Sequence, residues 1–378
     1  MGDQAVKKCF QLSLFVRGQA AKDVGIALRD QAHHALPERP TAAMNPYTAC
    51  ATGVILLLTL IPLSHSKVWW VRSLDFPRLQ LCAMTAALLV VDLLVAFGEG
   101  WQAWLVPAVA AGCLAYHAWW IIPYTRWFPQ EVKSAAKADG GETLLVLVSN
   151  VLMSNRNTQA LLDLVRKHRP HVLVTLESDA RWQAQLDTLK ADYPHTIQCP
   201  LDNRYGMHVY ARLPLEDSHV EFLLEDDVPS MRTRIRMPNG QVVQAHFVHP
   251  EPPSPTEKDS SRPRDAELMT VARRVADLTE PVLVTGDLND VAWSRTTRQF
   301  RKQSHLLDPR VGRGMYNTFH AGHWFLRWPL DHIFHSDHFT VRSIRRLPSI
   351  GSDHFPLLTE LVLHPRRQDD QQARGEDA

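Results

Sequence analysis

VLVTGDLNDVAWS, running from Val282 to Ser294, is the stretch from which the rest of the chain can be read. It begins as a short, β-branched apolar run of the kind that forms a buried strand, and Gly, Asp and Asn then turn the chain. The turn leaves two polar side chains, Asp287 and Asn289, at a strand end. Working outward, the pattern recurs: LVLVSN ends on Asn150, VLVTLE on Glu177, QAHFVH on His249, while Asp331 opens DHIF and Asp353 and His354 follow IGS. Polar groups at strand ends converge only if the fold gathers those ends. An amide, several carboxylates and imidazoles in one cleft would make an oxygen-rich site for Mg²⁺ or Mn²⁺ flanked by acid–base groups.

From Gly141 onward short β-rich runs alternate with amphipathic helices. Leu144–Val148 and Val172–Leu176 predict strands joined by a helix at Thr158–His168, where Leu161, Leu162 and Val165 share a face. Further strands are expected at Gly206–Ala211, Glu221–Leu224, Arg232–Met237, Gln241–Val248, Val282–Thr285, Leu330–Phe334 and Leu357–Leu363. Helices are expected from Asp265 to Leu278 and after Trp293. Many strands with few helices predict an α/β fold, a four-layer sandwich of two packed mixed β-sheets flanked by helices. Residues 249–264, rich in Pro and Ser, read as a long loop.

The set SNVL, LVTLES, GDLNDVAWS, PLDHIF and GSDHFP, in this order, resembles the endonuclease/exonuclease/phosphatase superfamily. That group includes exonuclease III-like apurinic endonucleases, deoxyribonuclease I, inositol polyphosphate 5-phosphatases and neutral sphingomyelinases. The resemblance covers about residues 141–364. It implies that Asn150, Glu177 and Asp353 hold the metal ion, Mg²⁺ or Mn²⁺, with Glu177 the strongest ligand. It also implies that Asp287 and Asn289 align the attacking water and contact the scissile phosphate, and that His354, oriented by Asp331, contacts the phosphate or assists proton transfer. His249 matches the histidine before the Pro-rich loop, and His246, three residues earlier on the same run, stays open as the alternative. Tyr205 reads equally as a packing residue or a phosphate contact.

Hydrolysis of a phosphate ester explains the residue types. Water must be deprotonated, charge on the non-bridging oxygens neutralised and the departing alkoxide protonated. A hard cation among carboxylates serves the second need, and a histidine paired with a carboxylate serves the proton transfers near neutral pH.

Before residue 125 the composition is different. Thr48–Leu63, Leu79–Phe97 and Trp101–Ile122 are apolar runs, the second and third long enough to cross a bilayer and the first so once Asn45–Tyr47 are added. Trp69, Trp70, Trp101, Trp104, Trp119, Trp120, Tyr124 and Trp127 lie at the ends of these runs, the headgroup level that such rings prefer. Three transmembrane helices are therefore expected ahead of the soluble domain. The combination resembles a membrane-anchored bacterial branch of the superfamily and implies a multi-pass protein of the bacterial inner membrane. Lys67, Arg72 and Arg78 between the first two spans, with Arg126, Lys133 and Lys137 after the third, favour a cytoplasmic catalytic domain. Asp92, in mid-span, predicts a polar link to Thr85, His117 or another subunit. The expected organisation is an N-terminal extension over 1–43, dispensable if translation starts at Met44; a membrane region over 44–127; a linker over 128–140; the catalytic domain over 141–364; and a disordered polar tail over 365–378.

Composition narrows the partners. The chain carries 41 Lys and Arg against 40 Asp and Glu, and residues 141–364 carry 26 against 27, which excludes a generally basic nucleic-acid coat protein. Arg295, Arg298, Arg301, Lys302, Arg310 and Arg313 cluster after GDLN, as a polyanion contact or as a solvated helix face. The partners expected are a phosphate-ester substrate and membrane lipids, with no obligate protein partner evident. A nuclease is the default activity, a phospholipid or phosphoinositide hydrolase its rival of the same chemistry, and a non-catalytic membrane scaffold the rival of another class. The scaffold is disfavoured because every candidate position keeps a chemically competent side chain.

Overall fold

Alternation along the strands sorts their side chains into two environments. In the computed structural model, which describes residues 45–97, 99–136 and 140–364, Leu144, Val146 and Val148 face the space between two sheets, while Leu145 and Leu147 face helices. The expected N-terminal extension and polar tail lie outside the described residues.

The strands are β1 (Glu142–Asn150), β2 (Val172–Leu176), β3 (His195–Cys199), β4 (Met207–Ala211), β5 (Leu215–Phe222), β6 (Pro229–Arg236), β7 (Val242–Val248), β8 (Val282–Asp287), β9 (Asp331–His335), β10 (Phe339–Arg346) and β11 (Leu357–Leu363). They form a sheet of order β10-β11-β1-β2-β4-β3 and another of order β5-β6-β7-β8-β9. Each sheet has one parallel pair, β1 with β2 and β7 with β8, and antiparallel pairs elsewhere. Those parallel pairs are bridged by the helices Thr158–His168 and Arg262–Ala276, since a parallel connection must cross over the sheet. Val146, Val174, Val209, Ala245, Phe247 and Leu283 pack between the sheets, and the outer faces are closed by helices, giving the four-layer α/β sandwich.

Some expectations shift. The strand expected at Glu221–Leu224 begins earlier, as β5, whose exposed Asp217, Ser218 and His219 show no alternation to read. β3, β10 and the short helix Ala180–Leu186 were not expected; β10 slips register between Val341 and Ser343, which breaks its period. The irregular stretch after β7 is shorter than 249–264, because the helix starts at Arg262 with Pro263 in its first turn.

Three helical segments, Pro46–Ser64, Arg78–Ala96 and Trp101–Tyr124, are long and apolar enough to cross a membrane. Asp92 is buried and accepts a hydrogen bond from Thr52 Oγ1 at 2.9 Å, while His117 pairs with Thr59 at 3.0 Å. The interhelical link of Asp92 therefore runs to the first span rather than to Thr85 or His117.

These helical segments are joined to the sandwich by specific contacts. Tyr124 Oη donates to the carbonyl of Ala292 at 2.7 Å, and Trp293 Nε1 donates to that of Asp75 at 2.8 Å. Lys67 pairs with Asp265 at 2.6 Å. Asp75 itself is buried between Arg72 and Arg78. The segment between the first two spans thus packs directly under the GDLNDVAW turn.

Candidate active site

The strands deliver polar groups by continuing a pattern whose earlier members are apolar. Asn150 extends the face of Val146 and Val148, Asp287 that of Leu283, and Asp331 precedes Ile333 on the same face of β9. All three are almost fully buried. Beyond the packed core the same faces carry polar groups instead of apolar ones.

Two turns need unusual backbone. Glu177 (φ 57°) and Asn289 (φ 50°) occupy the left-handed region that non-glycine residues rarely adopt, a strain often found at functional sites. Gly286, at φ 150°, lets β8 lie against β7: a Cβ there would meet the Val248 carbonyl oxygen at 1.9 Å.

The groups converge in two connected sets. Asn150 Nδ2 donates to Glu177 Oε1 at 2.8 Å and to Asp287 Oδ2 at 3.2 Å. His354 lies between two carboxylates, Nδ1 at 2.8 Å from Asp331 Oδ2 and Nε2 at 3.5 Å from Asp287 Oδ2. Ser352 ties the sets together, donating to the Asn150 carbonyl at 2.8 Å and accepting from the His354 amide at 3.0 Å. Burial disfavours charge on His354, but Asp331 and Asp287 outweigh it and raise its pKa to about 10, so the ring is an imidazolium near neutral pH. Burial raises Glu177 above the ordinary carboxylate range and repulsion from Asp353 adds to it, against the opposing pull of His249 and Asn150.

Whether these residues suit a cation is tested by what they leave unpaired. Glu177 Oε2 is buried without a hydrogen-bond partner, as are Asp331 Oδ1 and His249 Nδ1. A buried carboxylate with an orphaned oxygen, beside a second carboxylate that destabilises its charge, is relieved by a hard divalent ion. Asp287, Asp331 and His354 also place one ligand atom each within 4.8 Å of one another. Their short contacts are those of a hydrogen-bonded His held between acids, so the donor set around Glu177 fits a metal better.

The remaining expected residues fall in different places. His249 is buried close enough to Glu177 to act on its charge, with its ring 5.5 Å from that of Tyr205. His246 points the other way along β7, among Arg232 and Arg274, and burial with those charges lowers its pKa to about 4. Tyr205 packs on His249 and hydrogen-bonds Glu257. Asn289 uses its side-chain amide on the Pro250 carbonyl at 2.9 Å, and its own carbonyl accepts from the buried Arg264 at 2.7 Å, so it braces the turn. The basic cluster after GDLN is largely engaged: Arg298 covers the Trp120 ring, Arg301 pairs with Glu131, Arg310 with Asp308, and Arg313 bonds Val132 and Ser134.

Sequence reasoning did not single out Thr318, whose hydroxyl accepts from the Asp331 amide at 3.2 Å, or Phe319, whose ring lies 4.9 Å from that of His354. The aromatic density of 316–328 was the available signal. Phe319 stacks on Trp328, which meets Phe76 in the segment between the first two long apolar helices.

Residues 147–354 match the family model described as the Endonuclease/Exonuclease/phosphatase family. The chain belongs to that family. It is accordingly a phosphate-ester hydrolase by kind. Among solved structures, the chain is similar to the endonuclease/exonuclease/phosphatase from Beutenbergia cavernae DSM 12333 (17% identity over 59% of this chain and 72% of that one, TM-score 0.48). It is similar also to the human Nocturnin catalytic domain with bound sulfate anion (17%, 59% and 95%, 0.48) and to D. rerio TDP2 complexed with single-strand DNA product (14%, 58% and 98%, 0.49). Comparison with curated proteins gives no match.

Proposed function

We propose that the chain is a membrane-anchored hydrolase that cleaves a phosphate ester by direct attack of water in this cleft, with Mg²⁺ or Mn²⁺ as cofactor. The observation that carries the reading is the convergence of Asn150, Glu177, Asp287, Asp331 and His354, from separate strand ends, into one set that is buried apart from the half-buried Glu177. Glu177, with Asn150 and Asp353, would hold the ion, which when bound supplies Lewis-acid stabilisation of phosphate charge. Asp287 orients the water and accepts its proton. The imidazolium of His354 faces the charge that grows on the phosphate and can protonate the departing oxygen. Asp331 fixes the ring and stabilises its charged form, and His249 lines the same cleft opposite Tyr205.

The three apolar segments support membrane anchoring, and the cations between the first two spans and following the third support a cytoplasmic catalytic domain at a bacterial inner membrane. The organisation into a membrane region over 44–127, a linker over 128–140 and a catalytic domain over 141–364 is part of the same proposal.

The test is turnover of bis(4-nitrophenyl) phosphate by the full chain in detergent, with Mg²⁺, Mn²⁺ or chelator, beside Asp287→Ala. Metal-dependent release of nitrophenolate that the variant loses is the expected outcome. A folded chain that binds metal but turns over neither this ester nor a polynucleotide nor a phospholipid would point to a narrower phosphate ester, and one that also binds no metal would favour the scaffold.

A further inference from the structure

The loop that follows the Phe319 contact carries the two most exposed large apolar side chains among the described residues of 140–364, Trp324 at 80% and Phe325 at 54%. Adjacent aromatic rings at a loop tip are unfavourable in water unless an apolar surface lies at hand. The chain itself marks that surface. Gln80, in the first turn of the second span, donates from Nε2 to the Phe325 carbonyl at 2.7 Å, so the tip sits where that span leaves the apolar layer. Trp70 and Trp127, also exposed, flank the same ends of the spans, at the level such rings prefer.

The stem of this loop meets the chemistry. Ala321 donates its amide to the Asp353 carbonyl at 2.6 Å, and the ring of Phe319 lies 4.9 Å from that of His354. Arg327 and Arg346 stack on Phe355, the next residue, at 5.0 and 4.4 Å, which places two cations beside His354. Charge elsewhere disfavours a polynucleotide, since residues 141–364 are balanced and Arg298, Arg301, Arg310 and Arg313 are engaged internally.

We propose that His320–Arg327 is an interfacial loop whose Trp324 and Phe325 enter the bilayer surface beside the second span. The cleft then opens at the headgroup layer and takes a membrane phospholipid whose acyl chains stay in the bilayer. The substrate half of this inference rests on the hydrolase reading above; the placement of the loop does not.

Two measurements on the full chain in nanodiscs test it. The first compares emission of the wild type and Trp324→Phe in discs of ordinary and acyl-brominated phosphatidylcholine. The difference between the proteins reports Trp324, and bromine is expected to quench most of it; an unquenched difference overturns the placement. The second follows hydrolysis of phosphatidylglycerol in the disc and of bis(4-nitrophenyl) phosphate and plasmid DNA in solution, with Mg²⁺. Replacing both rings, Trp324→Ala with Phe325→Ala, is expected to lower lipid turnover at least about tenfold and to change the soluble ester less than about twofold. Equal loss on both substrates, or a wild type that cleaves the soluble ester or a polynucleotide but not the lipid, overturns the substrate class. No metal-dependent turnover of any of the three would sink the hydrolase reading instead, and the quenching result would still decide the loop.

Discussion

Asp331→Asn keeps the shape beside His354 and removes one charge. His354 is nearly fully buried, its ordinary pKa of 6.5 is raised to about 10, and Asp331 at 2.8 Å is closer than Asp287 at 3.5 Å. The rise corresponds to on the order of 5 kcal/mol favouring the imidazolium. Losing one hydrogen-bonded carboxylate should remove roughly 2–3 pKa units of it, leaving a ring that titrates at about 7–8. If the imidazolium is the working form, the alkaline limb of kcat/KM on bis(4-nitrophenyl) phosphate moves from near pH 10 to that range. The variant is then expected to lose on the order of 30-fold at pH 9 and far less at pH 6. Stability follows the same sign. Because the folded pKa is raised, this contribution is fully present below pH 6.5 and is lost as pH rises through about 10, so the wild-type melting temperature should decline across that window more than the variant's. A variant that loses rate equally at every pH, with its alkaline limb unmoved, would refute the argument.

Three further expectations rest on other parts of the chain. Glu177→Gln should weaken Mg²⁺ binding at least about tenfold by calorimetry, and unchanged affinity would remove Glu177 from the ligand set. Glu267 is buried, accepts from Ser230 at 2.7 Å and is pushed by burial up to about 7, so its stabilising effect is present below pH 4.5 and lost as pH rises through 7. Glu267→Gln should therefore stabilise the fold at pH 8 by up to about 3 kcal/mol and have little effect at pH 4, read from denaturation midpoints at each pH. Gly286→Ala sets a Cβ against the Val248 carbonyl, and the variant is expected to lose roughly 3 kcal/mol or more; an unchanged melting temperature would show that β7 and β8 separate easily.

Much of the site was legible because strand period is a local property. Runs such as LVLVSN and VLVTGD carry their own statement of where a strand stops, so Asn150 and Asp287 could be placed at strand ends before any partner was known. The three long apolar helices were legible for a similar reason, since length and apolarity are read directly from the sequence. β5 and β10 escaped because exposed polar residues and a register slip erase the period.

Sequence by itself determined the family, the two-part composition and the residue types at the strand ends. Tertiary structure decided which of them meet. It turned His246 toward Arg274 and left His249 beside Tyr205 and near Glu177, directed Asp92 to Thr52, and engaged most of the basic cluster after GDLN in packing around residues 120–134. It also brought Phe325 to Gln80, 245 positions away in the chain. A periodic pattern states which face a residue occupies; what lies against that face depends on where distant segments cross, and no local signal records it.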